Sequence, residues 1–92
     1  MLGRKGFIGY NIDMYYVYIL ISKIDGKYYF GSTADLKNRF KEHNSGKVKS
    51  TRNRVPFELV CYEAYRVKRI ALNREKYLKS SDGHKDINRR FK

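Results

Sequence analysis

Cysteine occurs once and tryptophan not at all in these 92 residues, and acidic side chains number only nine. Each scarcity removes a class of protein. A single cysteine, Cys61, makes no intramolecular disulfide and cannot anchor a thiolate zinc site, so a reducing compartment is expected. No apolar run approaches the roughly 20 residues of a membrane-spanning helix, and the longest, residues 14–21, is punctuated by tyrosines, so no membrane partner is expected. Arg4 and Lys5 precede no apolar segment of the secretory kind, which makes the cytoplasm the expected location. The two histidines, His43 and His84, lie far apart and no His-Glu-x-x-His occurs. Gly-x-Ser-x-Gly is also missing, and Gly26 and Gly31 are too isolated to form a phosphate-cradling loop.

What is present is positive charge and aromatic surface. Twenty-one Lys and Arg against nine Asp and Glu leave a formal charge of +12, which points to nucleic acid or another acidic partner. The chain is 41% apolar and 15% aromatic, with nine Tyr and five Phe, enough for a core despite the charge. A second core would need roughly another 50 residues, so one domain is expected. Residues 1–13 carry three glycines and no period, and read as a flexible leader or arm; residues 14–92 read as the domain.

Residues 15–21 and 27–31 are rich in β-branched and aromatic side chains on either side of Asp25-Gly26, which predicts a hairpin. Ser32, Thr33 and Asp35 are helix-capping residues, and Leu36, Phe40 and His43 follow at helical spacing until Gly46. Residues 45–56 read as an exposed basic loop carrying Lys47, Lys49, Arg52 and Arg54. A third strand is expected over residues 57–65, alternating Leu59, Cys61 and Glu63 against Val60 and Tyr62. A second helix is expected over 67–79, a break over 80–83 and a short basic helix over 85–92. The fold class is therefore α+β: a small three-stranded, mainly antiparallel sheet with helices covering one face.

Few residues offer chemistry. Cys61, inside a strand, reads as a structural thiol. Arg39 and His43, four apart on one helix face, could grip a phosphate, or Arg39 is a solvated charge and His43 caps the helix end beside Asn44. Glu75 is a carboxylate on an otherwise basic helix; it could hold a cation, or pair with Arg74 or Lys79. Lys47, Lys49, Arg52 and Arg54, with few acids nearby, suit phosphate contacts along a DNA backbone.

The two predicted hairpin strands carry a more specific pattern. Tyr16-Val17-Tyr18 and Tyr29-Phe30-Gly31 resemble the two tripeptides of the GIY-YIG nuclease family, and eleven positions separate Tyr18 from Tyr29, as in that family's hairpin. The run from Ser32 to Arg39 is similar to the segment ending in the family's helix-borne arginine. His43 stands where the family has His or Tyr, and the segment from Arg74 to Lys79 resembles the helix bearing its metal-binding glutamate. The likeness covers roughly residues 14 to 80 and is nearest to small stand-alone members similar to the N-terminal nuclease domain of the bacterial nucleotide excision repair endonuclease. Both tripeptides depart from the family's consensus but keep the tyrosine. Asn88 is a candidate for the family's late asparagine.

This resemblance implies a metal-dependent DNA endonuclease with a one-metal mechanism, acting in repair or recombination. Arg39 would bind the nonbridging oxygens, and Glu75 would hold Mg²⁺ or Mn²⁺ together with water and phosphate. Tyr29 would bond the phosphate or orient the water. Tyr18 or His43 would be the general base: His43 has the more suitable ordinary pKa, while Tyr18, favoured by the family pattern, needs surroundings that stabilise phenolate. Tyr15, Tyr28 and Tyr62 read as sheet packing, and Gly31 as a turn from strand to helix. One short domain suits DNA recognised by structure or damage rather than by sequence, with a partner protein as the candidate source of target choice. A non-catalytic nucleic-acid-binding module on the same fold is the alternative, and a structural ribonucleoprotein component a third reading.

Overall fold

The computed structural model describes residues 13–92. The arm expected over residues 1–13 lies, apart from Asp13, outside the described residues. Three strands, β1 (Tyr15–Ser22), β2 (Tyr28–Thr33) and β3 (Phe57–Tyr65), and three helices, α1 (Leu36–Asn44), α2 (Lys68–Leu78) and α3 (Ser81–Phe91), follow in the order β1-β2-α1-β3-α2-α3. A 3₁₀ turn, Arg52–Arg54, interrupts the basic loop. The sheet is antiparallel throughout, in the order β2-β1-β3, as the α+β expectation requires.

Central β1 is buried on both faces, and this sets the layering. Val17 and Ile19 join Phe30, Ala71, Leu78 and Ile87 under α2 and α3. Tyr18 and Leu20, on the opposite face, pack with Phe57, Tyr29, Leu36 and Phe40 beneath α1. Helices thus cover both faces, rather than the one face expected. A three-stranded sheet is too small to leave either of its apolar sides in water.

Two boundaries differ from the sequence reading for local reasons. β2 continues through Ser32 and Thr33, because both pair with β1; Asp35 alone caps α1, accepting a bond from the Asn38 amide. α3 begins at Ser81, where a break was expected. The Ser80 hydroxyl accepts the Gly83 amide and so starts the helix. Gly83 is glycine because a Cβ would drive into the Tyr77 carbonyl and Leu78 Cα at the end of α2. In β3 the alternation slips: Cys61 pairs with Ile19 but Leu59 with Leu20, leaving Val60 as an extra residue. Val60 and Cys61 both pack toward α2 and α3, while Leu59 joins Tyr62 on the α1 face.

Glycine at 26 supplies the positive φ of the hairpin turn. Arg54 then ties that turn to the 3₁₀ segment, its Nε donating to Asp25 Oδ2 at 2.7 Å and its Nη2 to Asp25 Oδ1 and the Lys27 carbonyl. The adjacent guanidinium holds the Asp25 carboxyl at about 2.

Gly83→Ala is expected to destabilise the domain by about 1–3 kcal/mol through overpacking, and each kcal/mol lowers Tm by roughly 4–8 °C in a domain of this size. Thermal unfolding followed by circular dichroism checks this; an unchanged Tm would show that α2 and α3 can separate without cost.

Candidate active site

Tyr18 occupies the middle of a row that crosses the sheet, paired with Gly31 on β2 and Tyr62 on β3. Its ring lies over Gly31, where any Cβ would collide with the phenol oxygen. The glycine is therefore needed inside the strand, for space under a tyrosine, and not at a turn into the helix. Tyr18 is 2% exposed, and its hydroxyl is 2.9 Å from Nε2 of His43, which is fully buried. His43 descends from α1 one turn beyond Arg39. Far from capping the helix, its imidazole is enclosed by Tyr29 (ring centroids 5.0 Å apart), Tyr18 (5.6 Å) and Phe57 (6.0 Å). Asn44, the last residue of α1, turns its side chain to β3: it accepts from the Phe57 amide and donates to the Phe57 carbonyl, fixing α1 to β3.

The other ring nitrogen of His43, Nδ1, lies 2.8 Å from Oγ1 of the fully buried Thr51. The Thr51 hydroxyl donates to the Val48 carbonyl, which can only accept. With the Thr51 hydrogen directed there, the matching tautomer has Nδ1 carrying the imidazole hydrogen, Nε2 as acceptor and Tyr18 donating to it. Arg39, whose guanidinium only donates, lies beside the same phenol oxygen and bonds Glu42 at 3.1 Å. The result is a directed chain, Tyr18 to His43 to Thr51 to the Val48 carbonyl, with the Arg39 charge near its first member.

Electrostatics along this chain are set first by burial. Desolvation raises the Tyr18 pKa above its ordinary value, and hydrogen bonding from Arg39 only partly opposes it. The surroundings thus favour the neutral phenol, opposite to what a tyrosinate base requires. Burial also lowers the His43 pKa, with the Arg39 charge adding to the effect, so the imidazole is neutral at pH 7 and can accept a proton.

Glu75 approaches from α2 at the β2 edge. Its Oε1 accepts from the Ser32 hydroxyl at 2.6 Å and its Oε2 from the Lys79 ammonium at 2.7 Å; Arg74 instead pairs with Glu63. The Glu75 charge contributes to raising the Tyr18 pKa. A carboxylate whose side chain is 18% exposed, with an ammonium already in the cation position, fits a hard divalent ion completed by water and phosphate. Among the described residues no group of three or more His, Cys, Asp or Glu forms a fuller cage.

Tyr18, Tyr29 and His43 thus cluster under α1 with Arg39 beside them, and Glu75 reaches the β2 edge from the other face, where its charge still acts on Tyr18. Lys47, Lys49 and Arg52 are exposed on the basic loop, whereas Arg54 is engaged at the hairpin turn. Asn88 lines a separate hollow with Lys27, Tyr28 and Lys92. Thr51 and Ser32 were missed by sequence reading: one looked like loop, the other like a helix cap. Nothing in the local pattern marks a threonine eight residues past a histidine as its partner.

The described residues contain no helix long and apolar enough to cross a membrane. The family model of the GIY-YIG catalytic domain matches residues 14–92. Among curated relatives, the chain is 42% identical over 69 residues to a UPF0213 protein of Haloquadratum walsbyi, covering 74% of this chain and 76% of that one. It is 48% identical over 67 residues to a UPF0213 protein of Clostridium perfringens, covering 72% and 71%. Its fold is similar to the solution NMR structure of the UPF0213 protein BH0048 from Bacillus halodurans, with a TM-score of 0.54, 40% identity and 85% of each chain covered.

The lowered His43 pKa has a direct consequence for stability. The unfolded chain protonates this histidine near 6.5 and the folded chain only at lower pH, so the contribution is complete above pH 6.5 and is lost as pH falls below it. The His43 C2–H resonance in NMR is expected to titrate below 6.5, with stability falling over the same window; a midpoint above 6.5 would contradict the buried, neutral assignment.

Proposed function

Because this chain belongs to the GIY-YIG family, we infer that it is a divalent-metal-dependent DNA endonuclease that hydrolyses phosphodiester bonds through a single active site, in repair or recombination. What supports this reading is the cluster of Tyr18, Tyr29 and His43 under α1 with Arg39 beside it, and Glu75 at the β2 edge, near enough for its charge to act on Tyr18. A purely binding surface has no use for a carboxylate facing its phosphate.

The chemistry follows from the hydrogen-bond chain. In the free protein the Arg39 guanidinium bonds Glu42 and is near enough to Tyr18 to act on its pKa. A phosphodiester competes for the guanidinium, which can present two parallel donors to nonbridging oxygens where charge grows in the transition state. Drawing Arg39 onto the phosphate uncovers Tyr18. As water attacks phosphorus in line, its proton passes to the phenol oxygen while the Tyr18 proton passes to Nε2 of His43. No free phenolate forms. Tyr18 touches the water and His43 is the final acceptor: the lowered pKa leaves Nε2 unprotonated at pH 7, and the raised pKa of Tyr18 keeps its proton on the phenol until the water attacks. Thr51 holds the tautomer and orientation that leave Nε2 open. The P–O bond to the leaving oxygen breaks, and that oxygen is protonated by solvent.

Glu75 would hold Mg²⁺ or Mn²⁺, displacing the Lys79 ammonium, with Ser32 fixing the second carboxylate oxygen. When bound, the ion supplies charge stabilisation to the phosphate and leaving oxygen. Tyr29, beside His43, is placed to bond the phosphate or orient the water. Lys47, Lys49 and Arg52 would contact the DNA backbone without reading sequence. Arg54 serves this surface indirectly by fixing the loop to the hairpin.

Arg39→Ala is expected to lower kcat by about 100- to 1,000-fold, and Glu75→Gln to abolish metal-supported cleavage, while both variants still bind DNA in a gel-shift assay. If neither Mg²⁺ nor Mn²⁺ supports cutting by wild type, or Glu75→Gln cuts normally, the chain is a non-catalytic nucleic-acid-binding module. Thr51→Val is expected to lower kcat by about 10- to 100-fold with KM little changed, and Thr51→Ser to restore it. Wild-type rate should fall at acid pH, as His43 protonates; a flat profile would remove His43 from the relay.

A further inference from the structure

An apolar groove of about 420 Å³ opens on the α1 face of the sheet, between α1 and β3. Tyr16, Leu36, Phe40, Leu59 and Tyr62 line it, with Lys37 beside them. Three features set it apart from ordinary surface. Tyr62 is 53% exposed and Leu59 39%, so two large apolar side chains stand in solvent where a core would bury them. The β3 bulge brings them together: without the extra Val60, residues three apart would point to opposite faces. Tyr16 and Tyr62 meet edge to face, with centroids 5.9 Å apart at 66°, an arrangement that leaves ring surface open to a further flat group.

The groove lies on the same sheet face as Tyr18 and adjoins a hollow on the Glu75 side. Ala34 lines both it and a second hollow of about 260 Å³ whose wall includes Ser32, the hydrogen-bond partner of Glu75. The two hollows meet at the turn from β2 into α1. Tyr62 also pairs directly with Tyr18 across the sheet.

We propose that this groove holds an unpaired nucleobase of the strand being cut, so that the substrate is DNA with single-stranded character at the cleavage point. The proposal rests on the nuclease reading above and names its substrate class. An aromatic cleft selects a flat π-face, and a chain of charge +12, with Lys37 at the groove, selects a polyanion over an apolar peptide. In an intact duplex the base faces are stacked on their neighbours and cannot enter; in a flap, a branch or a single strand they can. Asp35, also in the lining, is turned to the capping of α1 and so does not leave an unpartnered charge facing the strand.

Fluorescence anisotropy of a short labelled single strand and a blunt duplex of equal length, at fixed salt and without divalent ion, tests this. Wild type is expected to bind the single strand more tightly. Tyr62→Ala should lose about tenfold on the single strand and nothing on the duplex, while Tyr62→Phe, which keeps the stacking ring, should retain full affinity. A single abasic gap moved along the strand should reproduce the loss at one position in wild type and have no effect there in Tyr62→Ala. Equal weakening on both ligands, or no weakening on the single strand, overturns the proposal. These readings need no cleavage. A wild type that shows the stacking signature but never cuts on addition of Mg²⁺ or Mn²⁺ overturns the nuclease reading alone, and one that cuts blunt duplex as fast as a flap overturns the stacking proposal alone.

Discussion

The hydrogen bond between the Tyr18 hydroxyl and Nε2 of His43 joins the centre of the sheet to the helix above it, and the rest of the α1 face is arranged around it. A phenol and an imidazole buried together each need a partner, since a buried unpaired polar group costs about 1–3 kcal/mol. Gly31 makes room for the ring on one side, and Thr51 takes the outer nitrogen of the histidine on the other. Thr51 is itself held by a loop whose next turn is tied to the hairpin through Arg54 and Asp25. Two connecting segments far apart in sequence therefore support one proton-sized arrangement.

The same burial explains how a weak acid and a weak base can cooperate. Desolvation disfavours charge on either group, raising the phenol and lowering the imidazole, so the resting pair is neutral and the proton stays on tyrosine. In the proposed mechanism the proton moves through Tyr18 without stopping there, so no buried phenolate forms, and both expected candidates for general base take part. Arg39 couples this to the substrate, because a phosphate that attracts the guanidinium also uncovers the phenol.

On the opposite face, Glu75 belongs to a helix that packs against Val17 and Ile19, yet its carboxylate comes to the β2 edge and meets Ser32. A narrow sheet with an exposed edge strand permits this. Residues from both layers reach one rim, and the turn at Ala34 connects that rim to the aromatic groove beyond α1. Three-strandedness, which makes the domain small, also makes its two faces mutually accessible.

The order of the elements and their chemical character were legible along the chain, though the ends of β2 and α3 were not. Alternation and β-branching at residues 15–21, the Asp25-Gly26 turn, the spacing of Leu36, Phe40 and His43, and the excess of Lys and Arg are local or compositional signals that survive without knowledge of neighbours. The spacing of Tyr18 from Tyr29, followed by Arg39, His43 and Glu75, marked which polar side chains to watch. Tertiary structure alone decided that both sheet faces are covered, that Val60 is bulged, that Gly31 and Gly83 are required by close packing, and that Thr51 and Ser32 complete the site. Each of these depends on atoms brought together from distant positions, and a pattern read along the chain carries the identity of such residues but not the neighbour that gives them their role.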